Sequence, residues 1–322
     1  MEQLQGLQNQ FEKALEALEL PSEPKFLYEP IRYTLSNGGK RMRPLLVLIG
    51  CRIFNQSVEE AIHPAIGIEL FHNFTLLHDD IMDKAPLRRG MKTVHEKWNN
   101  HVAILSGDAT FIKAYQELMK TRIDVLLDIL TDFNKTALEI CEGQQMDMDF
   151  ETAENVSIDS YLKMIGLKTA VLLASSLKIG ATIGGANKEQ AQLLYDFGLN
   201  AGIAFQLQDD ILDVYGESQK VGKQKGGDII SSKKTFLLLK AMELAKGQDA
   251  DSLKNWLASD SEVAKVKAVT KIYDKLGIRK LAEEQMWDYY NKGISSLDKV
   301  EGDGEWIGIL RAFSENLMHR ES

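Results

Sequence analysis

The stretch Ile158-Asp159-Ser160-Tyr161-Leu162-Lys163-Met164-Ile165-Gly166-Leu167-Lys168-Thr169-Ala170-Val171-Leu172 places apolar residues at 158, 161, 162, 165 and 172, the spacing of one face of an α-helix. A half-buried strand would alternate apolar and polar residues, and this run does not. The same texture extends outward. All six prolines (Pro21, Pro24, Pro30, Pro44, Pro64 and Pro86) precede Leu87, and none follows it. Proline breaks or kinks a helix unless it lies near the start, so long helices are expected beyond Pro86. The expected fold is all-α, with breaks at Asn99-Asn100, Gly180 to Asn187, Gly216 to Asp228, Ala245 to Asp251 and Glu301 to Gly304. None of these reads as an interdomain linker, and no repeat suggests a solenoid, so a single domain over residues 1–322 is expected.

With 322 residues, 44 % of them hydrophobic, the chain can bury a core. Its net charge of -9 argues against nucleic acid, which is bound by basic stripes. An anionic substrate must instead meet local cations or metal. Met1 to Leu20 reads as an acidic amphipathic segment without the basic start and apolar run of a signal peptide. Charged or amide groups are expected to interrupt every apolar stretch before the roughly 20 residues that span a bilayer. A cytoplasmic protein without a membrane span is the expectation. Cys51 and Cys141 are too few for a disulfide framework or a cysteine zinc site and read as packed thiols.

One short echo carries the chemistry. Asp79-Asp80-Ile81-Met82-Asp83 returns almost letter for letter as Asp209-Asp210-Ile211-Leu212-Asp213, each after an apolar helical run. Residues four apart share a helix face, so Asp79 with Asp83, and Asp209 with Asp213, aim two carboxylates the same way. Like charges at this spacing repel, and a hard divalent cation relieves the repulsion. Oxygen-only ligands suit magnesium, which also takes water and substrate phosphate oxygens. The helical wheel adds His72 to the first stripe and Gln206 to the second.

Diphosphate substrates would require cations in fixed places. Gly38-Gly39-Lys40-Arg41-Met42-Arg43-Pro44 supplies three within four residues, with glycines that permit close backbone approach. Arg88-Arg89 follows the first aspartate cluster after a short loop containing Pro86, placed to fold back over it. Lys168-Thr169, Lys223 and Lys233-Lys234 are later candidates. A nucleotide phosphate loop is not present: the spacing from Gly216 to Gly222 is wrong, and Gln224 follows Lys223 where Ser or Thr is needed.

In these motifs the chain resembles the trans-type, short-chain polyprenyl diphosphate synthases, close to geranylgeranyl or farnesyl diphosphate synthase. The resemblance also takes in Gly107-Asp108, Glu142-Gly143-Gln144, Lys168-Thr169-Ala170 and Phe205-Gln206-Leu207-Gln208-Asp209-Asp210. It implies antiparallel helices around a deep apolar cavity, a homodimer, and two to three Mg2+ ions bound with the substrate diphosphate. Isopentenyl diphosphate would be joined head-to-tail to an allylic diphosphate. By the resemblance, Asp79, Asp83 and Asp209 hold magnesium, joined by Asp213, which like Asp80 and Asp210 acts through metal-bound water or hydrogen bonds. Arg88, Lys168, Gln206, Lys223 and Lys233 contact the allylic diphosphate, and Lys40, Arg43, His72 and Arg89 hold isopentenyl diphosphate. Thr169 and Gln206 also direct oxygen dipoles at the carbocation. The catalytic set so implied is Asp79, Asp80, Asp83, Arg88, Lys168, Gln206 and Asp209.

Ser232-Lys233-Lys234-Thr235-Phe236 departs from the family's Gly-Lys-x-Thr pattern, which leaves Lys233 and Lys234 as alternatives. In the family, the fourth and fifth residues before the first aspartate set product length. Here Thr75 and Phe74 stand there, a pattern resembling geranylgeranyl synthases more than farnesyl synthases. A class I terpene cyclase, which needs no isopentenyl site, is disfavoured by the second complete cluster and by Lys40 with Arg43. A non-catalytic subunit or helical scaffold is disfavoured because neither cluster has lost a ligand.

Overall fold

The computed structural model describes residues 2–216 and 226–319. It is all-α, as the spacing predicts. The helices are α1 (Glu2–Glu16), α2 (Lys25–Ser36), α3 (Met42–Phe54), α4 (Glu59–Met82), α5 (Val94–Lys97), α6 (Asn100–Leu118), α7 (Ile123–Thr152), α8 (Ile158–Ile165), α9 (Val171–Gly184), α10 (Lys188–Tyr215), α11 (Gly227–Ile230), α12 (Phe236–Leu244), α13 (Gln248–Leu257), α14 (Glu262–Leu276), α15 (Ile278–Leu297) and α16 (Gly304–Met318). A π-helical turn, Gly166–Ala170, joins α8 to α9. Strands β1 (Leu87–Arg88) and β2 (Met91–Lys92) form a short antiparallel hairpin.

Local chemistry explains several boundaries. Asn99 caps α6 by accepting the Val102 amide at 2.9 Å, and Ser157 caps α8 by accepting the Ser160 amide at 3.1 Å. The expected break at Ala245 to Asp251 is shorter than anticipated, because α13 already begins at Gln248. Pro30 and Pro64 lie inside α2 and α4 and not at their starts. Each forgoes a backbone hydrogen bond in the second turn, and both rings are buried, which offsets that loss.

Two compact units can be distinguished. The first comprises Met1–Phe133, Ser176–Gln192 and Glu301–Ile309. Within it α4 packs against α3 and α6 through a core that includes Ile66, Ile68, Leu70, Phe71 and Leu77. Helix α1 covers this core with Leu7, Phe11 and Leu15, one residue per turn, as the amphipathic N-terminal pattern predicts. The second unit comprises Asn134–Ser175, Leu193–Val300 and Leu310–Ser322. Its core gathers Tyr161, Leu162, Ile165, Leu207, Ile211, Phe236, Tyr273 and Met286.

Among the described residues one helical segment, Ile158–Gly184, is long and apolar enough by length and composition to cross a membrane, with a mean hydropathy of 1.4 over its apolar window, although Asp159, Lys163, Lys168 and Lys178 interrupt it. However, 78 % of its apolar window is buried inside the protein, which makes it a core helix.

Candidate active site

In the first unit, α4 runs into the aspartate cluster at its C-terminal end. Asp79 and Asp80 lie in its last turn and Asp83 caps it, the Asp83 amide donating to the Asp79 carbonyl at 2.8 Å. The β-hairpin brings Arg88 back onto them. Its Nε and Nη2 each stand 2.7 Å from Asp80 Oδ1, and Nη2 is 3.6 Å from Asp79 Oδ2. Burial raises the Asp80 carboxyl above its ordinary value, with Arg88 opposing. At Arg88 burial alone would lower the guanidinium, but Asp80, Asp79 and Asp83 together raise it.

The hairpin turn, Arg89 at φ 54° and Gly90 at φ 76°, has the two positive φ angles of a type I′ turn. It directs Arg89 Nη1 to the Gly38 carbonyl, to which it donates. The guanidinium covers Gly39, where an added Cβ would come within 2.6 Å of Nη1. Arg43 Nη1 stands 3.1 Å from His72 Nε2. Burial, then Arg43, Arg89 and Arg88, hold His72 well below its ordinary pKa, so the imidazole is neutral and Nε2 accepts. Burial also lowers Arg43 to about 10, with Glu69 opposing and Arg89 adding to the shift. Guanidiniums crowding a neutral imidazole create a positive potential suited to an anion.

The basic run divides by direction. Lys40 is exposed, whereas Arg41, between the two candidate residues, is buried. Its guanidinium donates to Glu69 at 2.6 Å, Glu12 at 3.2 Å and the Leu35 carbonyl at 2.7 Å. On the next turns of α4, Phe74 stacks on Phe111 with centroids 4.9 Å apart and meets His78 edge-on. The Thr75 hydroxyl is turned back to the His72 carbonyl at 2.8 Å.

The second unit holds a cavity of about 310 Å³ lined by Lys168, Thr169, Gln206, Asp209, Asp213 and Lys233. Lys168 and Thr169 belong to the π turn, a distortion that alters side-chain phase and recurs at functional sites. Gly143 of α7 lies against it so closely that a Cβ there would stand 2.3 Å from the Lys168 amide nitrogen. Lys168 Nζ donates to Asp147 Oδ2 at 2.6 Å, and Lys233 Nζ is 3.8 Å from the same oxygen. Lys234 does not line the cavity: its ammonium donates to the Phe150 carbonyl at 2.5 Å, tying down the end of α7.

Asp210 is buried, and the Tyr161 hydroxyl donates to it. Burial first and then the Asp228 charge push its carboxyl up to about 8, against Tyr161, Lys233 and Gln206. The Asp228 amide donates to Asp213 Oδ2 at 3.0 Å. The crowding of Asp209, Asp210, Asp213 and Asp228 is an unfavourable charge distribution that a divalent cation would relieve, and an all-oxygen donor set suits a hard one. Among the described residues no three acidic or histidine side chains close on one point, so such a cation needs oxygens from water or substrate as well.

A family model described as polyprenyl synthetase matches residues 24–276. This chain belongs to the polyprenyl synthetase family. The synthetase is 35 % identical to the geranylgeranyl diphosphate synthase of Methanosarcina mazei over 326 residues, covering 100 % of this chain and 98 % of the relative. A crystal structure of a geranylgeranyl pyrophosphate synthase matches its fold with a TM-score of 0.94 at 41 % identity, covering 99 % of each chain. A polyprenyl synthase from Caulobacter crescentus, complexed with calcium and isoprenyl diphosphate, matches with a TM-score of 0.86 at 25 % identity, covering 100 % of this chain and 97 % of that one. The family generally depends on a divalent metal, in keeping with the donor chemistry of the aspartate clusters.

Of the residues picked out in the synthetase sequence, the structure groups Asp79, Asp80 and Arg88 in the first unit, and Arg43 with His72. In the second it groups Lys168, Thr169, Gln206, Asp209, Asp213 and Lys233. Lys223 lies outside the described residues. Asp147, Tyr161 and Asp228 were missed. Asp147 stands three residues after Gln144 on one helix face, the one signal that points to it.

Proposed function

We propose that this synthetase makes all-trans geranylgeranyl diphosphate by adding isopentenyl diphosphate head-to-tail to allylic diphosphates, with two to three magnesium ions. The observation that carries the reading is the cationic group of Arg43, Arg89 and neutral His72, in addition to two aspartate clusters that each have basic residues beside them. An enzyme that ionises a single diphosphate has no use for that group, and this favours condensation over cyclisation.

Asp79, Asp83, Asp209 and Asp213 would hold the magnesium, with Asp80 and Asp210 supporting them. When bound there, magnesium would supply positive charge to offset that of a departing diphosphate, easing cleavage of the allylic C–O bond. Arg88, Lys168, Gln206, Lys223 and Lys233 grip that diphosphate; Asp147 bridges Lys168 and Lys233 and holds both ammoniums in place. Lys40, Arg43, Arg89 and His72 orient isopentenyl diphosphate so that its double bond attacks the allylic cation. Thr169 and Gln206 direct oxygen dipoles at that cation. The released diphosphate accepts the proton whose loss restores an alkene, so no separate basic triad is required. Water must be kept from the cation, a task that falls to the apolar cavity the family resemblance implies.

Phe74, buttressed by Phe111, would end the channel beside Thr75. Chain-length analysis with dimethylallyl, geranyl and farnesyl diphosphates as starters tests this. The expected product carries twenty carbons, and Phe74→Ala should yield longer chains. A fifteen-carbon product, or an unchanged length in Phe74→Ala, would remove Phe74 from that role.

The reading includes a single domain over residues 1–322, supported by alignment with relatives along nearly their whole length. It also includes a homodimer. Leu105, Ile112 and Met119 recur every seven residues and are exposed, as are Ile123 (86 %) and Leu127. Covering each such side chain is worth about 1.5–3 kcal/mol, and a second copy is the proposed cover. A cytoplasmic location completes the proposal.

A further inference from the structure

Ser232 has φ 54°, in the left-handed region that a side chain other than glycine adopts only when its surroundings hold it there. The next residue is Lys233, which lines the second-unit cavity. Its amide donates to the Asp228 carbonyl at 2.8 Å, so the conformation of the turn determines where the Lys233 side chain starts.

The turn is held from α14. Lys265 is only 5 % exposed, and its ammonium donates to the Ile230 carbonyl at 2.9 Å and to Ser232 Oγ at 2.8 Å. The Ser232 hydroxyl donates onward to the Leu257 carbonyl at 3.2 Å. Among the described residues Lys265 is paired with no carboxylate. A buried ammonium is among the least favourable groups in a protein interior, and this one spends its hydrogen bonds on two neutral oxygens of a single turn. The adjacent Val266 packs on Gly226, where an added Cβ would come within 2.7 Å of its side chain. Helix α14 therefore braces both ends of the segment from Gly226 to Ser232.

We propose that Lys265 is a positioning residue: it clamps Ser232 in its left-handed conformation and thereby aims Lys233 into the diphosphate cavity. The proposal rests on reading that cavity as the allylic diphosphate site. Without the clamp, Ser232 relaxes toward right-handed backbone, and the Lys233 ammonium swings away from its place beside Asp147.

The test uses the full chain and two readouts: KM for each substrate varied separately, and calorimetric binding of inorganic diphosphate in the presence of magnesium. Lys265→Met should raise the allylic KM and the diphosphate Kd about tenfold, as expected for a displaced charged contact. The KM for isopentenyl diphosphate should stay within about twofold. Ser232→Gly should resemble the parent. Because glycine holds a left-handed turn unaided, the double variant should recover to within about threefold of it. A folded Lys265→Met protein with unchanged diphosphate binding overturns the proposal, as does an equal rise in both KM values without rescue by Ser232→Gly. If Lys265→Met does not fold, Ser232→Ala, which loses the Oγ acceptor of the clamp and, unlike glycine, does not hold a left-handed backbone unaided, should show the same selective rise. Parent-like diphosphate binding in that variant would also overturn the clamp. If the parent protein performs no condensation, the functional reading fails on its own, while diphosphate binding still decides the role of Lys265.

Discussion

Lys40 and Arg41 are adjacent in sequence and opposite in fate. Arg41 is buried against Glu69, and breaking a buried pair by removing one partner costs about 3–5 kcal/mol because the other charge is left uncompensated. Arg41→Ala should therefore lower stability by that amount in urea titration, whereas Lys40→Ala should leave stability unchanged and raise the KM for isopentenyl diphosphate about tenfold. Composition cannot separate two such cations: what divides them is a carboxylate, Glu69, twenty-eight residues away on α4. His72 supplies a pH test. Its folded pKa is depressed by burial and the surrounding arginines, so the unfolded chain binds more protons below pH 6.5. Stability is full above that pH and falls as the medium becomes more acidic. Denaturation midpoints of the parent should drop between pH 7.5 and 5.5 more than those of His72→Gln; equal drops would mean His72 is not held neutral.

At the scale of elements, the sequence makes the helices and both aspartate clusters legible, because a four-residue spacing of carboxylates survives any reasonable placement of helix ends. The run from Ile158 to Ile165 reads correctly for the same reason. The π turn at Gly166–Ala170 is not legible, since one extra residue in a turn leaves no compositional mark. Yet that turn sets the direction of Lys168. Asp147 escapes notice because α7 carries many acids, and only the folded chain shows which one meets two ammoniums. The contact of Gly143 with the π turn makes a prediction. Gly143→Ala inserts a methyl group where the Lys168 amide already stands, and overpacking of this kind destabilises by about 1–3 kcal/mol. It should also raise the allylic KM several-fold by displacing Lys168. Unchanged Tm and KM would show that the two segments separate without consequence.

At the scale of the whole molecule, an acidic chain of net charge -9 handles multiply charged anions by concentrating cations at a few points, chiefly Arg43, Arg88 and Arg89 in one unit and Lys168 with Lys233 in the other. The exposed apolar residues at the end of α6 and the start of α7 belong to this scale too. Ile123→Lys combined with Leu127→Lys should convert the proposed dimer to monomer in sedimentation velocity, without loss of helicity by circular dichroism. A parent protein that sediments as a monomer would refute the dimer directly. The central claim, metal-assisted condensation carried by both aspartate clusters, is tested most directly by one measurement. Inorganic diphosphate release and incorporation of labelled isopentenyl diphosphate are followed together, for the parent, Asp79→Ala and Asp209→Ala, with magnesium and with chelator. The account predicts one diphosphate released per unit incorporated in the parent, complete dependence on magnesium, and a loss of at least about a hundredfold in either variant. Diphosphate release without incorporation, or full activity in either aspartate variant, would contradict it.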